Sequence, residues 1–169
     1  EELRREIAER KKTQQELAQQ GMLLRSIVDS SPDLFYYRDN NGVFAGCNKM
    51  FEEVMGKTSG ELIGKAAEEI FPSHFLSEVL RTDEQVERTH QGLTIDVEYS
   101  VNGEIRWFEL RKLPFINEQG DYIGLLAFGR DITSRKEAAQ ALETAYKDKG
   151  KFIATLSHEL RTPLNGIVA

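Results

Sequence analysis

Two stretches of one helical design bracket a unit of different texture, and this arrangement limits the chain more than any other feature. Residues 1–28 contain no proline and are dominated by Glu, Lys, Arg, Gln, Leu and Ala, a composition that favours helix. Leu3, Ile7, Arg10, Gln14, Leu17, Gly21, Leu24 and Val28 repeat at 4-3 spacing, the seam of a coiled coil. Arg10, Gln14 and Gly21 dilute that seam. The pattern favours a parallel dimer over a surface helix lying on the neighbouring domain. The stretch from Asp131-Ile132-Thr133-Ser134-Arg135-Lys136 to Leu142 echoes Glu6-Ile7-Ala8-Glu9-Arg10-Lys11 to Leu17, with Ile, Arg, Lys, Gln and Leu at the same offsets. Between the two lies a segment of about 100 residues, an ordinary domain size.

That segment reads as a mixed unit. Pro32 disfavours helix at Ser31 and ends the first helix. Leu34–Arg38 and Val43–Cys47 are strand-like runs around the turn Asp39-Asn40-Asn41-Gly42. Asn48 to Met55 reads as a short helix, and Gly56, Gly60 and Gly64 punctuate the pieces that follow. Pro72 to His90 is a longer helix, with Phe75, Leu76, Val79, Leu80 and Val86 on its apolar face. Three strands close the unit: Leu93–Tyr99, Glu104–Pro114 and Tyr122–Arg130, with turns at Asn102-Gly103 and Asn117–Asp121. The expected class is α+β, a five-stranded antiparallel sheet with helices over one face. Alternation is blurred where Trp107 adjoins Phe108 and where Ile123, Leu125 and Leu126 crowd together. Apolar contact on the second sheet face is therefore expected, from a partner or from the N-terminal helix.

The second seam runs through Ile132, Arg135, Ala139, Leu142, Tyr146, Lys149, Ile153, Leu156 and Leu160. Asp148-Lys149-Gly150-Lys151 interrupts its apolar character and reads as a soft joint, since Gly costs about 1 kcal/mol against Ala inside a helix. The frame leads into Ser157-His158-Glu159-Leu160-Arg161-Thr162-Pro163-Leu164-Asn165-Gly166-Ile167. In it His158 lies two positions past Leu156 and faces solvent. An imidazole with an ordinary pKa of about 6.5 is available in its neutral, nucleophilic form. Thr162 lies one turn beyond His158 on the same face. Pro163 cannot donate to the carbonyl of Glu159, so a bend is expected there.

The net charge is 22 − 28 = −6, which offers no basic footprint for nucleic acid. No apolar run approaches the roughly 20 residues of a spanning helix, so this stretch is expected to be soluble. The single cysteine, Cys47, allows no internal disulfide and suits a reducing compartment.

Taken in order, Ser31-Pro32-Asp33, Cys47-Asn48, Met55-Gly56-Lys57 and Gly129-Arg130-Asp131-Ile132-Thr133 resemble a PAS domain over about 22–134. The string around His158 resembles the phosphoacceptor box of sensor histidine kinases. The domain plan is then a coiled-coil signalling helix over 1–28, the PAS sensor over 22–134, a linker helix over 135–152, and the start of a phosphoacceptor, dimerisation helix over 153–169. The resemblance implies that His158 accepts phosphate, that Glu159 activates it as a base, and that Thr162 positions water for phosphate removal. It implies that Asp131, Ile132 and Thr133 couple the sensor to its output helix, with Thr133 also placed to cap that helix.

Leu24-Arg25-Ser26, Ser31-Pro32-Asp33-Leu34, Gly46-Cys47-Asn48, Phe128-Gly129-Arg130-Asp131-Ile132-Thr133 and the final string together resemble the aerobic-respiration-control family of membrane-anchored hybrid kinases. In that family a PAS cysteine near Cys47 can oxidise and link two protomers, with quinones as the proposed oxidant. A second family thiol position is occupied here by Trp107. Such a role needs an exposed thiol of lowered pKa; the bland alternative is a small packed residue. His74 and His90 raise haem only weakly, and the Asn-Cys-Arg motif of flavin light sensors is absent.

The expectation is a fragment of a two-component sensor kinase in the cytoplasmic part of a bacterial inner-membrane protein. It would bind no cofactor or metal itself and would be inactive alone. The full kinase would use ATP and Mg. Its partners would be a second copy, its own ATP-binding, receiver and phosphotransfer domains, and a response regulator. The alternative is a dimerising PAS module that senses a small molecule or cofactor without thiol chemistry. Residues beyond about 150 would be disordered or paired with a neighbouring chain.

Overall fold

A computed structural model describes residues 1–167, with side chains as far as Arg161. It contains two compact units, Glu1–Asp131 and Ile132–Ala169.

The first unit opens with α1 (Glu2–Asp29), which buries no side chain. Leu3, Ile7, Leu17 and Leu24 are all more than half exposed. The reading in which this helix lies along the neighbouring domain therefore fails, and its apolar residues are exposed. Only its last turn is tied down. The buried amide of Asn48 donates to the Val28 carbonyl at 3.1 Å, and Asp29 Oδ1 accepts the Lys49 N–H at 3.1 Å.

Five strands follow in one antiparallel sheet: β1 (Leu34–Asp39), β2 (Phe44–Cys47), β3 (Leu93–Val101), β4 (Glu104–Ile116) and β5 (Tyr122–Asp131). The spatial order is β2-β1-β5-β4-β3. The first and last strands are thus neighbours, in register from Leu34↔Gly129 to Asp39↔Gly124. Short helices α2 (Lys49–Met55), α3 (Ser59–Leu62) and α4 (Ala67–Ile70) and the longer α5 (Ser73–Thr89) connect β2 to β3. Asn48 caps α2 by accepting the Phe51 N–H at 3.0 Å, which meets an otherwise orphaned donor of the first turn. His90 ends α5 in the left-handed conformation at φ 52°.

The core lies between the helices and one face of the sheet. Tyr36, Phe44, Phe51, Phe71 and Phe75 form a chain of ring contacts with centroids 4.8–5.8 Å apart, near the spacing at which aromatic pairs add to plain burial. On the opposite face Phe35 packs on Phe128 at 5.1 Å and Tyr37 on Phe115 at 5.6 Å. Phe115 and Phe128 each remain 40% exposed. The blurred alternation of β4 and β5 thus reflects two apolar faces, and α1 covers neither.

The second unit is one helix, α6 (Thr133–Ile167). It runs unbroken through Gly150 and past the expected boundary at 152. The joint expected at 148–151 is no break in the helix, and the backbone stays helical from there to Ile167.

Candidate functional site: the phosphoacceptor face and the sensor core

On α6 an apolar row passes through Leu142, Tyr146, Ile153, Leu156 and Leu160, all at least 40% exposed. At 100° per residue, His158 lies about 200° round the helix from Leu156. His158 and Glu159 are both exposed; His158 lies on the side away from that row, and Glu159, about 60° from Leu156, on its flank. The helix therefore carries an exposed apolar row with His158 on its opposite side. The side chains of Thr162, Pro163, Leu164 and Ile167 lie outside the described residues.

The junction above this helix is short. Asp131 is the last rung of the β4–β5 ladder, opposite Phe108, and Arg106 Nη1 lies 3.8 Å from its carboxylate. The Ile132 carbonyl accepts the Lys136 N–H at 2.9 Å, the first intrahelical bond. That makes Ile132 the capping position and Thr133 the first helical residue. The cap expected at Thr133 is displaced by one residue because the chain turns helical directly after the strand's last rung. One rung earlier, Arg130 Nη2 pairs with Asp33 Oδ2 at 3.1 Å, joining the end of β5 to the start of β1.

Cys47 sits at the end of β2, opposite Tyr36, and is 3% exposed within the core. Burial pushes its thiol up to about 11, with the carboxylates of Glu52 and Asp29 adding and Arg25 opposing. The profile of a reactive thiol, exposed and with lowered pKa, is reversed on both counts. Sequence could not show this: a cysteine at a strand end points inward or outward according to a register that only the assembled sheet defines.

Between the helices and the sheet is a cavity of about 30 Å³, lined by Tyr36, Phe51, Phe71, Phe75 and Tyr99 among others. Such a volume has room for about one water molecule, far below the several hundred Å³ of ordinary ligand pockets. The Tyr36 hydroxyl is buried there without a hydrogen-bond partner. His74 and His90, the two histidines of the α5 region, are exposed, and the His90 ring stacks on Tyr122 at 6.1 Å. Among the described residues no group of three or more His, Cys, Asp or Glu side chains has the placement to hold a metal ion. No described helix is long and apolar enough to cross a membrane.

Sequence reasoning missed two buried polar centres. One is Asn48, fully buried, whose Oδ1 also accepts the Phe35 N–H at 2.9 Å and whose Nδ2 also donates to the Asp33 carbonyl at 2.9 Å. The other joins Arg38, Asp83 and Lys112 beneath α5. Asn48 directly before a helix was a readable cap signal. Nothing in the neighbouring pair Arg111-Lys112 shows which of the two points inward.

Residues 28–137 match the PAS fold family, and residues 148–169 match the His Kinase A (phospho-acceptor) domain. The chain is 44% identical over 152 residues to the aerobic respiration control sensor protein ArcB of Escherichia coli, covering 89% of this chain and 19% of that protein. It is 30% identical over 179 residues to the virulence sensor protein BvgS of Bordetella pertussis, covering 98% of this chain and 14% of that protein. The PAS domain of BvgS is also similar in structure, with a TM-score of 0.58 at 22% identity over 78% of this chain and 98% of that domain. The chain thus spans less than a fifth of the curated relatives it matches. It belongs to the PAS fold family, and the helix that follows its sheet carries the phospho-acceptor segment of the sensor histidine kinases it resembles.

Proposed function

We propose that this chain is the sensory and phosphoacceptor-helix portion of a dimeric hybrid sensor histidine kinase. The observation that carries the reading is the division of α6 into an apolar row and an opposite face bearing His158, with Glu159 exposed between the two. His158 Nε2 attacks the γ-phosphorus of ATP held with Mg by a separate catalytic domain. A P–N bond forms, the bond to the bridging oxygen breaks, and ADP leaves. Glu159 acts on Nδ1–H, keeping the Nε2 lone pair available and accepting the proton as charge develops. Thr162, on the same face one turn on, orients water when phosphate is removed. The phosphoryl group then passes to a receiver Asp and onward to a response regulator.

Input reaches this site through Asp131, Ile132 and Thr133. Ile132 alone separates the last residue of β5 from the first of α6, and this short covalent path is the route proposed for a shift of β5. Dimerisation is supported by the exposed apolar residues of α1 and α6 and by the uncovered sheet face, since patches of this kind are seldom left to solvent. The similarity to ArcB supports a response to respiratory conditions, in a domain on the cytoplasmic side of a bacterial inner membrane. Oxidation of Cys47, by a quinone or otherwise, requires the thiol first to leave the core. The second reading, a PAS module sensing a small molecule without thiol chemistry, requires the aromatic cavity to open well beyond its volume of about 30 Å³.

The test incubates this chain with the kinase's catalytic domain and ATP. Acid-labile phosphate should appear and be lost in His158→Gln. Labelling that persists in His158→Gln, or none in the parent chain, would refute the assignment.

A further inference from the structure

Three charged side chains meet beneath α5, apart from both the cavity and His158. Lys112 of β4 is fully buried at 0% exposure, and Arg38 of β1 is 3% exposed. Asp83 of α5 is the carboxylate between them. Its Oδ1 accepts from Lys112 Nζ at 2.6 Å, and its other oxygen abuts the Arg38 guanidinium. The ammonium also donates to Thr82 Oγ1 at 2.7 Å and to the Val79 carbonyl at 3.3 Å. All three acceptors belong to α5, so a charged Lys112 spends its three donors on that one helix.

The charges do not balance. Two buried cations share one carboxylate, and the Arg38 Nε–H has no partner. The other charged groups near Lys112 are Glu78 and Arg81 on α5, which pair with each other at 2.6 Å. On the Arg38 side, Asp39 at the end of β1 and Glu84 and Glu87 on α5 rim an open groove. From β5 the neighbours are Leu125 and Ala127, which stand opposite Arg38 and Lys112 in the ladder and bring no charge.

We propose that this cluster makes the proton a regulatory ligand of the sensor domain, taken up and released at Lys112. The charged form grips α5 through three acceptors and sets a second cation beside Arg38. The neutral amine gives up one of those bonds and leaves Arg38 and Asp83 as a balanced pair. Phe75, on the same helix, lines the cavity. Lys112 itself lies on the β4–β5 ladder that ends at Phe108↔Asp131. One protonation event therefore acts on the helix, the cavity wall and the strand that leads to the output junction.

Burial, joined by repulsion from Arg38, lowers the Lys112 ammonium from 10.5 to about 7, with Glu78 opposing. The folded chain thus releases this proton before the unfolded chain does. Between about 7 and 10.5 the unfolded state binds the extra proton, so stability rises with pH across that window. Below it, the cost of the second buried cation is carried in full.

The test does not depend on the kinase reading, because it needs only this chain and protons. Side-chain NMR should show Lys112 titrating near neutrality in the folded 169-residue chain. Urea unfolding between pH 7 and 9 should show the wild-type unfolding constant falling by up to about tenfold per pH unit, the slope of one proton. Lys112→Met keeps the Arg38–Asp83 pair, and should fold and lose that slope. A Lys112 midpoint above pH 9.5, or equal slopes in the two proteins, would overturn the proposal. The NMR arm decides alone if the variant does not fold.

Discussion

Replacing Asn48 by alanine removes four hydrogen bonds that join three elements at one buried point. The Phe51 N–H at the start of α2 and the Phe35 N–H at the start of β1 lose their acceptor. The Val28 carbonyl at the end of α1 and the Asp33 carbonyl lose their donor. Loss of the cap costs about 1 kcal/mol. The stranded Phe35 donor adds about 1–3 kcal/mol, while the two partly buried carbonyls cost less because water reaches them. The sum is about 2–4 kcal/mol, which for a chain of this length lowers Tm by roughly 4–16 °C. Urea and thermal unfolding measure it directly. Asn48→Asp sharpens the test. It keeps both accepted N–H bonds but turns a carboxylate oxygen toward the carbonyls of Val28 and Asp33. Hydrogen exchange should then show α2 still protected and the last turn of α1 opened. A loss below about 1 kcal/mol in Asn48→Ala, or wild-type protection of the last turn of α1 in Asn48→Asp, would refute the view that this amide ties the incoming helix to the sensor core.

Two further outcomes complete those attached to His158 and Lys112. Cys47 should alkylate at least about a hundredfold more slowly at neutral pH in the folded chain than in denaturant, since burial suppresses its thiolate; comparable rates would remove its place in the core. Phe128→Glu, on the uncovered sheet face, should leave the fold intact but weaken dimerisation at least about tenfold by light scattering. An unchanged dimer would show that the helices alone hold the two copies together.

The order of elements was legible because it rests on local rules. Pro32 ends a helix, Asn102-Gly103 makes a hairpin, and heptad spacing marks α1 and α6, each within a few residues of sequence. The placement of His158 away from Leu156 was legible for the same reason: on a helix, the offset between the two sets their relative direction with no help from the rest of the chain. Inside the sheet this logic stops. Adjacent residues of a strand point to opposite faces, and Arg111 and Lys112 are chemically alike, so only the register against β5 and the position of α5 send Lys112 inward. Cys47 is the same case, since its burial follows from the packing of β2 beneath its helices and not from any neighbour in sequence.

What the sequence determined by itself was therefore a sensor unit between two helices and a histidine on the outer side of the second. What tertiary structure alone decided was the electrostatics of the sensor core. Burial and the distance between charges set a pKa, and neither exists until strands far apart in the chain are brought together. That is why Cys47 becomes a quiet core residue, and why Arg38, Asp83 and Lys112, each more than 25 positions from the next, become one charged centre.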